Sequence, residues 1–359
     1  MWKIVGLMSG TSLDGVDAAV LLTDGERIAA QGARLTVPYE PELRAALRAL
    51  LDRAPTLGTD DPDLRAAELA LTDRHAEAVA TVLGGGHADL VGFHGQTILH
   101  RPEVRRTWQI GDAARLAGAV RLPVACDFRL ADVAAGGQGA PLAPLYHQGL
   151  AAGLARPLAV LNLGGVGNLS WLGADGTVIA CDTGPGNALL DDFVAARTGQ
   201  AFDRDGGLAA RGRVDRAVLA RLLDDPFFAR PAPKSLDRLD FSARVAASGL
   251  DRLGDHDGAA TLAAFTAGAV GAALRHLPAP PLRWLVTGGG RHNRSIMRAL
   301  ADLLAAQVDP VEAVGWDGDA LEAQAFAFLA ARVRRGLPLS LPTTTGVPLP
   351  MPGGRIAAP

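Results

Sequence analysis

Residues 158–187, LAVLNLGGVGNLSWLGADGTVIACDTGPGN, read as strand, glycine-rich turn, strand, Asp-Gly turn, strand. Apolar residues alternate with short polar or glycine breaks, which is the pattern of half-buried strands joined by tight turns. The chain opens on the same order of elements: WKIVGLM (2–8), the turn SGTSLDG (9–15), VDAAVLL (16–22), the break TDGE (23–26) and RIAAQGARLTV (27–37). The two stretches agree in kind and order, not in residue identity. Each is followed by helical periodicity, so the sequence predicts a duplicated α/β architecture with a cleft between its halves.

The remaining elements fill in around this repeat. Helical spacing appears in PELRAALRALLDR (41–53) and PDLRAAELALTDRHAEAVATVL (62–83). Strands are expected at DLVGFHG (89–95), TWQIGD (107–112) and LPVACDF (122–128), with a helix over 113–120. The glycine-rich loop AAGGQGAPL (134–142) leads into an apolar helix. Beyond the second repeat, helices are expected over 188–199, 258–277 and from Ser295, with a strand at LRWLVTGGG (282–290). A last amphipathic helix, DALEAQAFAFLAARVRRG (319–336), precedes a tail without periodicity. The expected division is a first domain over 1–140 with a helical insertion, a second over 141–336, and an extended or frayed tail over 337–359.

Composition bounds the function. The chain has 359 residues, 48% of them hydrophobic and 20% charged, which fits a folded enzyme of two domains. A formal charge of −3 and the lack of a Lys/Arg-rich run leave no footprint for nucleic acid. No apolar stretch is expected to reach the ~18 residues of a membrane span, and IVGLM is too short for the apolar core of a signal peptide. The two cysteines, Cys126 and Cys181, form no CxxC motif, so buried thiols in a reducing cytoplasm are expected.

Three glycine-rich turns end predicted strands, at 9–15, 164–168 and 287–290. Backbone N–H groups freed of side chains make anion-binding concavities, and hydroxyls add donors to phosphate oxygens. Neither the Walker pattern nor GxGxxG is present, so this would be a different phosphate cradle. CDTGPGN (181–187) places Asp182 at the carboxyl end of a strand, beside the start of a helix. FHGQT (93–97) ends another strand in polar or flexible residues; a satisfied core histidine is the default for His94. Arg129, Asp132 and Gln138 add a fork of donors suited to a carboxylate or to sugar hydroxyls, the alternative being a surface ion pair of little energetic value.

Taken together, GLMSGTSLDGVDAA, FHGQT, WQIGD, CDFRLADVAAGGQGAPL, NLGGVGNLS, DTGPGNALLD and TGGGRHN resemble the anhydro-N-acetylmuramic acid kinases, over about residues 3–335. That family lies in the sugar kinase/Hsp70/actin class. The resemblance implies two duplicated actin-like (ribonuclease H-like) α/β domains around an ATP cleft. It implies that ATP and water open the 1,6-anhydro sugar and phosphorylate its 6-oxygen.

By position, the resemblance makes Gly10, Thr11, Ser12, Leu13, Asp14, Gly15, Val16 and Asp17 a first phosphate loop, with Mg²⁺ near Asp14 or Asp17. Gly164, Gly165, Gly167 and Asn168 resemble a second loop. Gly288, Gly289 and Gly290 resemble the segment beside the adenosine end. Asp182 corresponds to the general base and Glu322 to an acidic residue near the sugar. Arg129, His94, Gln96, Thr97 and Gln138 would line the sugar side. A cytoplasmic homodimer is also implied. Two rivals compete: a kinase of this class acting on an ordinary open sugar, and an ATP-driven assembly or chaperone module. DTGPGN with HGQT argues against the first. The chain offers no peptide-binding domain or charged filament arm for the second.

Overall fold

Strands β1 (Trp2–Ser9), β2 (Gly15–Thr23) and β3 (Ile28–Pro38) form an antiparallel meander, in a computed structural model that describes residues 1–10, 13–236 and 241–359. Pairing runs Met8↔Asp17 at the open end of β1–β2 and Gly15↔Pro38 in β2–β3. β4 (Leu90–Arg101) then joins β1 in parallel, and β5 (Arg106–Ile110) folds back on β4. β6 (Val124–Cys126) adds in parallel beyond β4.

In the second repeat β7 (Leu158–Leu163), β8 (Val166–Leu172) and β9 (Val178–Pro185) form another antiparallel meander. β10 (Arg283–Thr287) and β11 (Gln307–Pro310) add in parallel on the far side of β7. The first sheet contains the path β3–β2–β1–β4–β6 and the second reads β9–β8–β7–β10–β11. Strand for strand, the two have the same order and the same mix of pairings. The duplication read from the turns is therefore a duplication of topology.

The chain divides into two compact units, residues 1–152 with 320–359, and residues 153–319. This corrects the expected boundaries: helix Leu321–Arg335 and the tail belong to the first unit, not to the second domain or to solvent. The helix lies directly on β1 and β4. A Cβ on Gly6 would sit 1.8 Å from the Ala323 carbonyl oxygen, and one on Gly92 would sit 2.2 Å from that of Phe326. Nor is the tail frayed. β12 (Arg355–Ala357) pairs antiparallel with β6 and forms the sheet's edge.

In the first unit Leu7, Val16, Leu47, Leu71 and Phe93 are buried between the sheet and helices Pro41–Arg53 and Pro62–Leu83. Each such side chain contributes roughly 1.5–3 kcal/mol by leaving water. Asp61 caps the second helix by accepting the N–H groups of Asp63 and Leu64, and Gly84 closes it in the left-handed region. The second unit packs Leu161, Trp284, Val286 and Leu300 around helix Asp255–Ala273. Contrary to the sequence expectation, the segment Asp255–His276 is apolar and long enough to cross a membrane, but 67% of its apolar window is buried inside the protein. It is the core helix of its unit.

Candidate active site

The glycines sort by cause once their surroundings are known. Gly288 has φ +75°, and a Cβ there would lie 2.3 Å from Asn162 Oδ1. A Cβ on Gly290 would lie 2.5 Å from Leu163 Cβ, and one on Gly167 would lie 2.7 Å from Thr183 Oγ1. Packing alone requires these three. Gly164 and Gly165 differ: a Cβ on either meets nothing closer than 3.7 Å, and neither has positive φ. Nothing among the described residues requires their bareness, so the β7–β8 turn keeps a backbone surface of the kind an anion needs.

Around that turn the second unit gathers polar groups. The Gly164 carbonyl accepts the Asn187 N–H at 2.7 Å, and the Gly165 carbonyl accepts that of Gly186 at 3.0 Å. The turn is thus tied to the start of helix Ala188–Thr198. Thr183 Oγ1 and Asn187 Oδ1 are buried without a hydrogen-bond partner among the described residues. Next to Gly289, a pocket of about 410 Å³ is lined by Asn187, Asp191, Phe202, Arg204, Gly289 and His292, among others. A groove of about 720 Å³ in the first unit, floored by Ala46, Ala49 and Ala70, contains none of the expected site residues.

Thr287, Asn162, Asn168 and Asp182 are directly opposite one another on β10, β7, β8 and β9, forming one polar row across four strands. Asp182 is partly buried. Its N–H donates to the Lys234 carbonyl at 2.9 Å, and its Oδ2 accepts the Leu236 N–H at 2.8 Å. Burial pushes its carboxyl up to about 7, against the smaller opposing effects of the Leu236 amide and the Lys234 charge. A carboxylate held there suits proton transfer near neutral pH. Lys234 is itself buried, its Nζ donating to the Phe227 carbonyl at 2.9 Å and lying 4.4 Å over the Phe227 ring.

In the first unit, Thr11 and Ser12 of the opening loop lie outside the described residues. The Gly10 carbonyl accepts the Leu13 N–H at 3.2 Å, with Leu13 at φ +57° and fully buried. Val16 is core. Gly15 is required by packing, since a Cβ would lie 2.4 Å from the Val37 carbonyl oxygen. The Asp14 carbonyl accepts the Tyr39 N–H at 3.1 Å, and Asp17 Oδ1 accepts the Thr36 hydroxyl at 2.5 Å. Among the described residues no group of three His, Cys, Asp or Glu side chains is placed to hold a metal ion. Asp14 and Asp17 thus form no cage for an ion, while Mg²⁺ commonly uses only one or two carboxylates together with phosphate and water.

FHGQT and CDFR meet in the same unit. Arg129 Nε donates to His94 Nε2 at 2.9 Å, and Nη1 donates to the Gly139 carbonyl at 2.6 Å. His94 Nδ1 lies 2.7 Å from the Gly95 carbonyl, so the ring is the neutral Nδ1–H tautomer. Burial first, then the Arg129 charge, hold its pKa well below the usual histidine range. Burial also lowers the Arg129 guanidinium to about 10, partly offset by Glu322 and Asp132. Glu322 is exposed in the first turn of its helix.

Gln96 Oε1 is buried with no partner among the described residues, and Thr97 Oγ1 accepts Gln109 Nε2 at 3.2 Å. The Gln138 carbonyl lies 2.9 Å from His100 Nε2. Asp132 departs from expectation. It is buried and accepts the Gly139 N–H, so it is an acceptor within its own loop and not one of a fork of donors. Asn162, Asn187 and Lys234 were missed. Asn162 opens NLGGVGNLS and Asn187 follows the Gly-Pro-Gly turn of DTGPGNALLD, so both were visible as polar residues beside glycines.

The family model described as anhydro-N-acetylmuramic acid kinase matches residues 2–357. The anhydro-N-acetylmuramic acid kinase of Acidiphilium cryptum is 67% identical, covering 99% of this chain and 98% of that one. Its namesake in Rhodospirillum rubrum is 58% identical over 98% of this chain and 92% of the relative. Matches of this extent reach both units and every motif described above, and the chain belongs to the anhydro-N-acetylmuramic acid kinase family.

Proposed function

We propose that the chain is an ATP-dependent kinase that opens 1,6-anhydro-N-acetylmuramic acid with water and phosphorylates its 6-oxygen. The product is N-acetylmuramic acid 6-phosphate, a step in cell-wall sugar recycling. In bond terms, the bond between the anomeric carbon and the 6-oxygen breaks while water oxygen bonds to that carbon. The freed 6-oxygen takes the γ-phosphoryl group, ADP leaves, and the water proton passes to Asp182. The observation that carries this reading is Asp182 itself, oriented by the Leu236 amide and raised toward neutrality by burial. A positioned base of this kind contributes ~10²–10⁴-fold.

The roles divide between the two units. In the second, Gly164 and Gly165 offer open backbone to phosphate, and the pocket beside Gly289 suits the adenosine end. Gly288 and Gly290 shape that segment, and Gly167 and Asn168 hold the β8 end of the turn. In the first, we assign the opening loop, Gly10 to Asp17, to phosphate and the carboxylates of Asp14 and Asp17 to Mg²⁺, which when bound neutralises phosphate charge. Arg129, held by His94, suits the sugar's lactyl carboxylate. Gln96, Thr97, Gln138 and Glu322 complete the sugar side. Two free buried thiols, Cys126 and Cys181, are in keeping with a reducing cytoplasm. A homodimer is the assembly the family resemblance implies, and sedimentation would check it.

Turnover in ¹⁸O-water tests the chemistry. Product read early should carry label on the anomeric hydroxyl and none in the transferred phosphate. Prompt label in free phosphate would mean an ATPase, and an unlabelled product would mean an ordinary sugar kinase.

A further inference from the structure

The segment after helix Leu321–Arg335 returns to the glycine-rich loop 134–142 and is buried there. Ser340 is 1% exposed, Thr345 0% and Val347 1%. Both hydroxyls donate to the same oxygen of Asp132, Oδ2, that of Thr345 at 2.6 Å. The other oxygen, Oδ1, accepts the Gly139 N–H at 2.6 Å. The Thr345 carbonyl accepts the Gln138 N–H at 2.7 Å. The loop is shaped for this contact: a Cβ on Gly137 would lie 2.2 Å from Asp132 Oδ1 and 2.5 Å from Val347 Cγ1. The Gly139 carbonyl in turn accepts Arg129 Nη1, and Arg129 Nε donates to His94.

These contacts form one chain of hydrogen bonds, from Ser340 and Thr345 through Asp132 and Gly139 to Arg129. We propose that the segment 337–359, through Ser340 and Thr345 on Asp132, is a positioning element that sets the guanidinium of Arg129 for the carboxylate of the sugar. The proposal rests on the assignment of Arg129 to the sugar given above. None of the three upstream residues needs to touch the substrate. A buried carboxylate deprived of its donors turns toward other partners or admits water, and the Gly139 peptide that it anchors shifts with it.

The test compares full-length variants. Ser340→Ala combined with Thr345→Val removes both hydroxyls at nearly constant volume. Binding of 1,6-anhydro-N-acetylmuramic acid should weaken roughly 3- to 30-fold, the range of coupling through a packed network, with the Kd for ATP unchanged. Hydrogen exchange at the Gly139 amide should accelerate in the same protein. Thr345→Ser, which keeps the hydroxyl, should behave as wild type.

Unchanged sugar affinity alongside faster Gly139 exchange would overturn the proposal, since the network would then be purely structural. Equal losses for sugar and ATP would overturn it as well. Arg129→Ala separates the underlying reading. If that variant binds the sugar normally, the assignment of Arg129 fails, whereas the Gly139 exchange still reports on the clamp alone.

Discussion

The backbone N–H of Leu236 donates to Oδ2 of Asp182 at 2.8 Å, while the Lys234 carbonyl two residues earlier accepts the N–H of Asp182. One short stretch of backbone therefore holds the aspartate from both ends. It orients the carboxylate without neutralising it, which leaves burial to set its proton affinity.

The first prediction follows from that setting. With the Asp182 carboxyl raised to about 7, kcat should rise with pH and reach half its plateau near neutrality. Asp182→Asn should lower turnover by about 10²–10⁴-fold and keep the Kd for ATP within a few-fold. A pH-independent kcat between 5 and 9, or a nearly active Asp182→Asn protein, would remove the base assignment.

Stability should carry the same signature. An aspartate whose folded pKa lies above its unfolded value favours the native state while protonated. Its contribution is complete below the unfolded pKa, near 4, and is lost as pH rises through about 7. Relative to wild type, Asp182→Asn should therefore gain in Tm as pH goes from 5 to 8. Thermal melts across that range decide it, and parallel curves for the two proteins would contradict it.

The glycine turns offer a paired experiment. Gly165→Val should weaken ATP binding at least about tenfold, or about 1.4 kcal/mol, while leaving Tm close to wild type. Its Cβ would lie 3.7 Å from Ala188 Cβ, an ordinary contact that the fold accommodates, so the main effect is on what approaches the loop. Gly288→Ala should do the reverse and destabilise the fold, because φ is +75° and Asn162 occupies the place of the new methyl. Calorimetric titration and melting of both variants provide the comparison, and ATP affinity unchanged in Gly165→Val would make that loop a mere turn.

Arg129→Lys should raise KM for the sugar with little change in KM for ATP. Lysine cannot direct one donor to His94 and another to Gly139 while presenting a planar fork. Steady-state kinetics with each substrate varied in turn would show it. Equal shifts in both constants would point to general damage instead.

Gly92→Ala should cost about 1–3 kcal/mol or more, as overpacking does, since the new methyl would lie 2.2 Å from the Phe326 carbonyl oxygen. Denaturant unfolding measures this, and a silent substitution would mean that helix Leu321–Arg335 has room to move.

Much of the fold was legible because its signals are local. Asp61 before Pro62 and Gly84 after Leu83 mark one helix unaided, and period-two runs gave all six meander strands. β11 was missed because QVDP is four residues long and ends in proline, and pairs only through tertiary contact. The domain boundary failed for a related reason. Helix 321–335 was expected to be amphipathic, yet residues 323–331 are buried without a break, and the close approach at Gly6 and Gly92 says which sheet it covers. At the site, Asp182 was legible as a carboxylate on a strand, though β9 runs on to Pro185 and does not end at it. Its cradle was not, because Lys234 and Leu236 are remote in sequence and act through backbone. Asp132 was read with Arg129 and Gln138 as one of a fork for the sugar, because the groups that donate to it, Ser340 and Thr345, lie in a stretch with no pattern of its own.

The return of residues 320–359 to the first unit also bears on how the protein is made. Residues 153–319 form a continuous unit, whereas the first unit is discontinuous in sequence. At about 5–20 residues per second, a ribosome delivers β12 and the Leu321–Arg335 helix many seconds after β1 to β6 have emerged. Until then β6 is an open sheet edge, and Gly6 and Gly92 lie under an uncovered face. The unit whose residues emerge second is the first to be complete, and the other must wait for residues 320–359.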